Sequence, residues 1–105
     1  MTHYFRQLSL SVGLIGLALF SLPAAANEAA QLAVQQGCIN CHHAEARSAP
    51  TFKRLSEHLA THGDQPEALQ DMLKEVRGHT ELHIHQMVSD ASALTILRWL
   101  AQGAH

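Results

Sequence analysis

The residues from Gly37 to Pro50, GCINCHHAEARSAP, contain both cysteines of the chain. Cys38 and Cys41 are separated by two residues, and His42 follows the second thiol directly. Three chemistries use two cysteines at this spacing: a thioredoxin-like dithiol, a zinc site, and covalent attachment of haem through C-x-x-C-H. The motif alone does not decide among these three chemistries, so the rest of the sequence has to be considered.

The dithiol and the zinc site fit the surrounding sequence poorly. A thioredoxin-like motif lies in a βαβ unit, whereas a helical pattern precedes Cys38 and no strand pattern surrounds it. A structural zinc site needs four ligands, and His79, His83 or His85 could supply a second pair. The interval to those histidines is longer than in compact zinc modules. Copper binding by the segment HTELHIH is a related alternative.

Covalent attachment of haem c explains the spacing best. Two thioether bonds must reach two vinyl-derived positions on one edge of a porphyrin, and a turn of three residues allows this. The next residue, His42, then falls beneath the ring, where an imidazole nitrogen can bind iron. The motif therefore predicts one covalent haem with His42 as the proximal ligand.

The N-terminal segment has the pattern of a secretory signal peptide. Arg6 precedes an uncharged apolar run over 8–22, and Pro23 and the small residues Ala24–Ala26 follow. The run is shorter than the ~20 residues that a membrane-spanning helix needs, which disfavours the alternative of an uncleaved anchor. We therefore expect a leader over 1–26, a mature domain over 27–105 and a periplasmic location. Export supports haem attachment, since haem c is matured outside the cytoplasm.

Length and composition limit the remaining possibilities. A chain of 105 residues is expected to form a single domain. Beyond the leader, Phe52 and Trp99 are the only large aromatic residues, so an apolar cofactor would supply volume that the core lacks. The net charge is −2 and no basic stripe is present, which argues against nucleic acid as a partner. A mild negative charge is compatible with docking onto a basic redox protein.

Apolar periodicity and helix-end residues predict an all-α domain of four helices. The apolar face of the first is predicted at Ala29, Leu32 and Ala33, and that of the third at Leu69, Met72, Leu73 and Val76. Loops are expected over 38–49, around the cysteine motif, and over 79–88, a histidine-rich segment. Helix starts are predicted at Asn27, at Pro50, at Asp64 through a capping box with Glu67, and at Ser89; ends are predicted at Gly37, Gly63, Gly78 and Gly103.

Nearly all of the predicted mature chain resembles the small bacterial class I cytochromes c. LAVQQGCINCH is similar to their first helix and haem motif, and APTFKRL to their proline-led segment. ALQDMLKEVRG resembles the helix that flanks the haem, and VSDASALTILRWLAQG the C-terminal helix. The resemblance implies a class I cytochrome c-like fold of about four helices around one covalent haem with one ring edge open. It also implies that the Pro50 carbonyl accepts a hydrogen bond from His42 and orients that ligand.

The sequence departs from this family on the distal side of the haem. Family members usually supply a methionine from the loop before the last helix. Here Met87 is the only methionine of that loop and lies just two residues before Ser89. The position at which the family's methionine stands corresponds to His83. We therefore expect His83 as the distal iron ligand, with Met87 and His85 as alternatives, His79 as a poorer one, and an open position as a further option.

These features predict a periplasmic monohaem cytochrome that carries single electrons between redox proteins and is not itself an enzyme. Its partners would be a dehydrogenase, an oxidase or another cytochrome, and it could serve as the cytochrome subunit of a dehydrogenase. Two alternatives belong to other classes. One is a haem module that binds a diatomic gas at a displaceable sixth position, and the other is a Cys/His zinc or copper protein without haem.

Overall fold

In the computed structural model, residues 24–104 are described, and this part of the chain is all-helical. It contains a short 3₁₀ turn and no strand. None of its helices combines the length and apolarity that crossing a membrane requires. The elements are α1 (Ala24–Gln35), the 3₁₀ turn (Cys38–Asn40), α2 (Phe52–His62), α3 (Pro66–Gly78), α4 (His83–Met87) and α5 (Asp90–Ala101).

Helix α1 begins earlier than predicted. It starts at Ala24, so Asn27 lies inside the helix and is not its N-cap. The face predicted to be apolar is buried, with Ala29 and Ala33 only 2% and 1% exposed. Of the predicted leader, residues 1–23 lie outside the described part of the chain, and the last three residues form the beginning of α1.

The N-cap of helix α2 is Thr51, and the predicted start at Pro50 is wrong by two residues. The Thr51 side chain accepts a hydrogen bond from the main-chain N–H of Arg54 at 3.2 Å. This bond satisfies one of the free N–H groups at a helix start, which a proline at that place cannot do. Pro50 is thereby left in the loop, and its carbonyl is free to accept a hydrogen bond from elsewhere.

Helix α3 has the predicted apolar face but lacks the predicted capping box. The N-cap is Gln65, which makes no side-chain capping bond, and Pro66 is the first helical residue. The Asp64 carboxylate instead accepts a hydrogen bond at 3.0 Å from the side chain of Gln102, 38 residues further along. Asp64 thus links the start of α3 to the end of α5, a tertiary role that local sequence does not reveal.

The prediction that the histidine-rich segment between α3 and α5 is a loop is wrong in part. It contains the five-residue helix α4. So short a helix is unstable in isolation, so contacts with other elements must stabilise it. Those contacts come from the end of α3 and are described with the site below.

Helix α5 is the central element and packs against α1, α2 and α3. Its predicted cap is confirmed, since the Ser89 hydroxyl accepts from the N–H of Ser92 at 3.2 Å. Between α2 and α5, the buried Ser56 hydroxyl donates to the Leu100 carbonyl at 2.8 Å. The core cluster consists of Ala33, Leu59, Leu69, Met72, Leu73, Ala93, Ile96, Leu97, Leu100 and Ala101.

Candidate functional site

The cysteine motif forms a single tight turn directly after α1. Gly37 has a φ of 79°, in the left-handed region that favours glycine, and this conformation turns the chain into the 3₁₀ segment. A Cβ at Gly37 would lie 3.3 Å from the Asn40 side chain, so the turn is also sterically close. The main-chain N–H of His42 donates to the Cys38 carbonyl at 3.0 Å. One turn of backbone therefore carries both thiols and the histidine.

The two cysteines are free thiols in different surroundings. Cys38 is half-buried against the core, whereas Cys41 is exposed. Burial raises the pKa of the Cys38 thiol, and a hydrogen bond with its main chain opposes this only in part. A thioredoxin-like dithiol depends on a thiol of lowered pKa. The raised pKa of Cys38 gives the dithiol alternative no support.

His42 is fixed to the loop before α2 through both its side chain and its main chain. Its Nδ1 donates a hydrogen bond to the Pro50 carbonyl oxygen, with 2.5 Å between the two atoms. The main-chain N–H of Phe52 donates to the His42 carbonyl at 3.2 Å. Because a carbonyl oxygen can only accept, the proton must be on Nδ1, and the neutral ring then carries its lone pair on Nε2. That nitrogen is the one available to a metal.

Two aromatic rings, those of Phe52 and Trp99, connect His42 to the central helix α5. The His42 and Phe52 rings are 5.9 Å apart between centres and inclined by 28°. Phe52 meets Trp99 of α5 edge-to-face at the same separation. Phe52 and Trp99 themselves pack against the core cluster. The two large aromatics of the predicted mature domain therefore support the His42 ring.

The structure also places His85 beside His42. The centres of the two imidazoles are 6.3 Å apart and their planes differ by 11°. His83 and Met87 are both exposed, Met87 to 80%, and neither is paired with His42 in the described part of the chain. His79, the poorer candidate, lies 3.4 Å from the carboxylate of Glu81. The four distal candidates thus differ clearly in their surroundings.

The surroundings of the His85 imidazole favour its neutral form. Its pKa is lowered below the ordinary value of 6.5, first by burial and then by the nearby His42, His79 and Arg77. Its Nδ1 is buried and has no hydrogen-bond partner. Buried polar atoms normally have a hydrogen-bond partner, so the Nδ1 atom of His85 is an exception. Its lone pair or its proton is not used by any other group in the described part of the chain.

A network centred on Arg77, the penultimate residue of α3, holds α4 in place. The Arg77 guanidinium donates to the main-chain carbonyls of His85 and of Val88, the latter at 2.5 Å, and to the Asp90 carboxylate at 2.8 Å. In return, the Gln86 side chain donates to the Arg77 carbonyl at 3.0 Å. From sequence, Arg77 is simply a cation in the last turn of α3, and only the fold shows that it connects three helices.

The large apolar side chains that are exposed lie in two segments of the chain, one next to the cysteine motif and one around α4. All five that are exposed in the described part of the chain fall within 34–39, next to the cysteine motif, or within 82–87, around α4. Within each segment the exposed apolar residues are near neighbours along the chain, and groups of exposed apolar residues often mark a binding surface. The five residues are Val34, Ile39, Leu82, Ile84 and Met87.

The zinc and copper alternatives gain no support from the arrangement of ligands. Over residues 24–104, no group of three or more His, Cys, Asp or Glu side chains is placed to hold a metal ion. A structural zinc site requires four such ligands. The pair formed by His42 and His85 offers two nitrogens, which is the number of axial ligands that a haem accepts.

Comparisons with known proteins leave the family open. The resemblance to class I cytochromes c therefore stays a prediction that rests on the residues quoted for it. No protein-family model, no curated protein and no solved structure matches the chain.

Proposed function

We propose that this protein is an exported monohaem c-type cytochrome that carries single electrons between redox proteins in the periplasm. The observation that carries the proposal is the geometry of His42. This histidine directly follows the C-x-x-C pair, and its Nδ1 is 2.5 Å from the Pro50 carbonyl oxygen. A hydrogen bond from the outer nitrogen of a metal-binding histidine fixes the tautomer and the ring orientation, and it makes the other nitrogen a better ligand.

The residues that would hold the haem are the two cysteines and His42. Cys38 and Cys41 are unpaired thiols on one turn, and thioether bonds from both would tether one edge of the porphyrin. When bound, the haem supplies a single iron that cycles between two oxidation states one electron apart. The chain contributes the tethers, one axial nitrogen and the orientation of that nitrogen by Pro50.

Exposed apolar residues support the binding of a large apolar ring. The exposed apolar residues described above lie beside the cysteine motif and around α4. The core of the described domain contains no aromatic residue, because Phe52 and Trp99 are only partly buried at its edge. A porphyrin next to them would extend this core, which is a large gain for a domain of this size.

Electron exchange would take place at the haem edge that remains exposed to solvent. The net charge of −2 favours docking onto a basic surface of a partner, such as a dehydrogenase, an oxidase or another cytochrome. We place the protein in the periplasm on the basis of the leader pattern over 1–26. Isolation from a periplasmic fraction of a mature form beginning at Asn27 would test this location.

Retention of porphyrin through denaturation tests the covalent haem directly. The full chain is expressed with haem c maturation factors, unfolded, and extracted with acid-acetone. We expect porphyrin absorbance to stay with the wild-type polypeptide and to be released from the Cys38→Ala/Cys41→Ala double variant. His42→Ala should keep the porphyrin attached but change the absorption spectrum of the haem, because it removes the proximal ligand. His43→Ala, the matched control, should leave the spectrum unchanged, since His43 is adjacent in sequence but exposed and 3.6 Å from Glu45.

Carriage of one electron is tested by spectroelectrochemical titration of the same protein. We expect a reversible transition with a slope of about 59 mV per tenfold change in the ratio of oxidised to reduced protein. Release of all porphyrin by acid-acetone would refute the proposal. A titration without a reversible one-electron step would do the same.

A further inference from the structure

The helix α4 can present only one of its candidate ligands to His42 at a time. His83 and His85 are two residues apart, so their side chains leave the helix about 200° from each other. His85 and Met87 are related in the same way. His83 and Met87 are four residues apart and share one face. His85 therefore stands on one side of α4, and the two ligands that the sequence favoured stand on the other.

The contacts of α4 select the face that carries His85. Arg77 reaches the His85 carbonyl, and the Gln86 side chain donates to the Arg77 carbonyl at 3.0 Å and to the His79 carbonyl at 3.4 Å. Turning His83 or Met87 toward His42 requires rotation of α4 by roughly half a turn. That rotation would carry the His85 carbonyl and the Gln86 side chain away from their partners. The short helix is thus fixed in rotation by hydrogen bonds from α3.

The distance between the two imidazoles suits one metal ion between them. An imidazole nitrogen lies about 2.0–2.1 Å from a bound metal ion such as zinc, so two rings on opposite sides of one ion have centres roughly 6 Å apart. The observed separation of His42 and His85 is 6.3 Å. The planes of the two rings are also nearly parallel, at 11°. The separation of the two ring centres is therefore the value expected for two imidazoles that share one ion.

We propose that His85, and not His83 or Met87, is the second axial ligand of the haem iron, and that Arg77 positions it through the His85 carbonyl. This assignment rests on the proposed function, because it concerns the far side of the same haem. Ligation by two histidines lowers the reduction potential relative to ligation by histidine and methionine. The protein would then be a low-potential carrier with no open site for a diatomic gas.

Carbon monoxide binding by the reduced holoprotein tests which residue occupies the sixth position. We expect the wild type, His83→Ala and Met87→Leu to form no carbon monoxide complex. We expect His85→Ala to bind one molecule per haem. His83→Ala is a matched control, because it removes the same side chain two residues away on the opposite face of α4. Opening of the site by His83→Ala or by Met87→Leu, or binding by the wild type, would overturn the assignment.

A second variant keeps the test decisive if His85→Ala does not fold. His85→Met places a sulfur at the same position. We expect it to show a methionine-to-iron charge-transfer band in the near-infrared, which the wild type lacks, and to have a higher reduction potential. The band in the wild type would refute the assignment while leaving the covalent haem intact. Release of porphyrin by acid-acetone would instead refute the proposed function, so the two failures are distinguishable.

Discussion

Substitution of Arg77 by alanine tests whether the segment carrying His85 is fixed by α3. The Arg77 side chain is 23% exposed and donates to two main-chain carbonyls and one carboxylate. Hydrogen bonds to a charged group contribute about 1.5–3 kcal/mol each when buried. The Asp90 carboxylate is 76% exposed, so that pair adds only about 0–1 kcal/mol. Water can reach the two half-exposed carbonyls, and we expect a total loss of about 2–3 kcal/mol.

Thermal unfolding of the holoprotein, followed by circular dichroism, measures this loss. For a domain of this size, about 1 kcal/mol shifts Tm by roughly 4–8 °C, so Arg77→Ala should lower Tm by about 8–24 °C. Arg77→Lys keeps the charge but not the planar fork, and should fall between the alanine variant and the wild type. Arg98→Ala is the matched control, since Arg98 is an exposed arginine of α5. It should change stability by no more than about 0.5 kcal/mol.

Binding of carbon monoxide by the same variants separates positioning from stability. If Arg77 orients His85, then Arg77→Ala should admit carbon monoxide at a temperature where the protein is still folded, and Arg98→Ala should not. Equal Tm values for Arg77→Ala and Arg98→Ala would refute the energetic reasoning. A large loss of Tm without any gain in carbon monoxide binding would refute the positioning role alone.

Three further predictions concern helix capping, a buried hydroxyl and pH. Thr51→Ala removes the cap of α2 and should cost about 1 kcal/mol in denaturant unfolding. Ser56→Ala removes the hydrogen bond to the Leu100 carbonyl and should also cost about 1 kcal/mol. In the chain without haem, where His85 binds no iron, the folded state lowers the pKa of His85, so the unfolded chain binds the proton more tightly. Stability should therefore fall as pH drops below 6.5 and level off below the folded pKa. Denaturation midpoints measured across this pH range check the sign.

Each of these predictions has a control that the chain itself supplies. Thr80→Ala and Ser48→Ala alter exposed residues of the same types and should leave the unfolding midpoint almost unchanged. Equal effects of Thr80→Ala and Thr51→Ala would contradict the capping role. For the pH dependence, His85→Gln should flatten the fall of stability below pH 6.5. An unchanged slope in that variant would show that another group is responsible.

The helices could be predicted from sequence wherever their signals are local. The apolar face of α3 and the Ser89 cap of α5 depend on residues within one turn of each other, and both are present. The Asp64 capping box failed because the carboxylate is used by Gln102 of a distant helix end. Helix α4 was missed because five residues are too few to show a periodicity, and its stability comes from α3.

The candidate site also has one half that local sequence predicts and one half that depends on tertiary contacts. The proximal half depends on a short interval of sequence, from Cys38 to Phe52, and the hydrogen bond between His42 and Pro50 spans only eight residues. The distal half depends on which face of α4 points inward. Arg77 and Gln86 fix that face through tertiary contacts, which spacing along the chain cannot reveal, and our proposal of His85 over the predicted His83 rests on these contacts.

The contacts from His42 through Phe52 to Trp99 would make tryptophan fluorescence a measure of the distance between Trp99 and a bound haem. Trp99 is the only tryptophan of the chain and sits one aromatic ring away from His42. Because haem absorbs light at the wavelengths where indole emits, energy transfer to a bound haem would quench the fluorescence of Trp99. Emission would return when the chain unfolds and the distance grows, even though the porphyrin stays attached. Fluorescence would thus measure the distance between Trp99 and the haem, and absorbance would measure how much haem is attached. Both can be recorded in one sample without an added label.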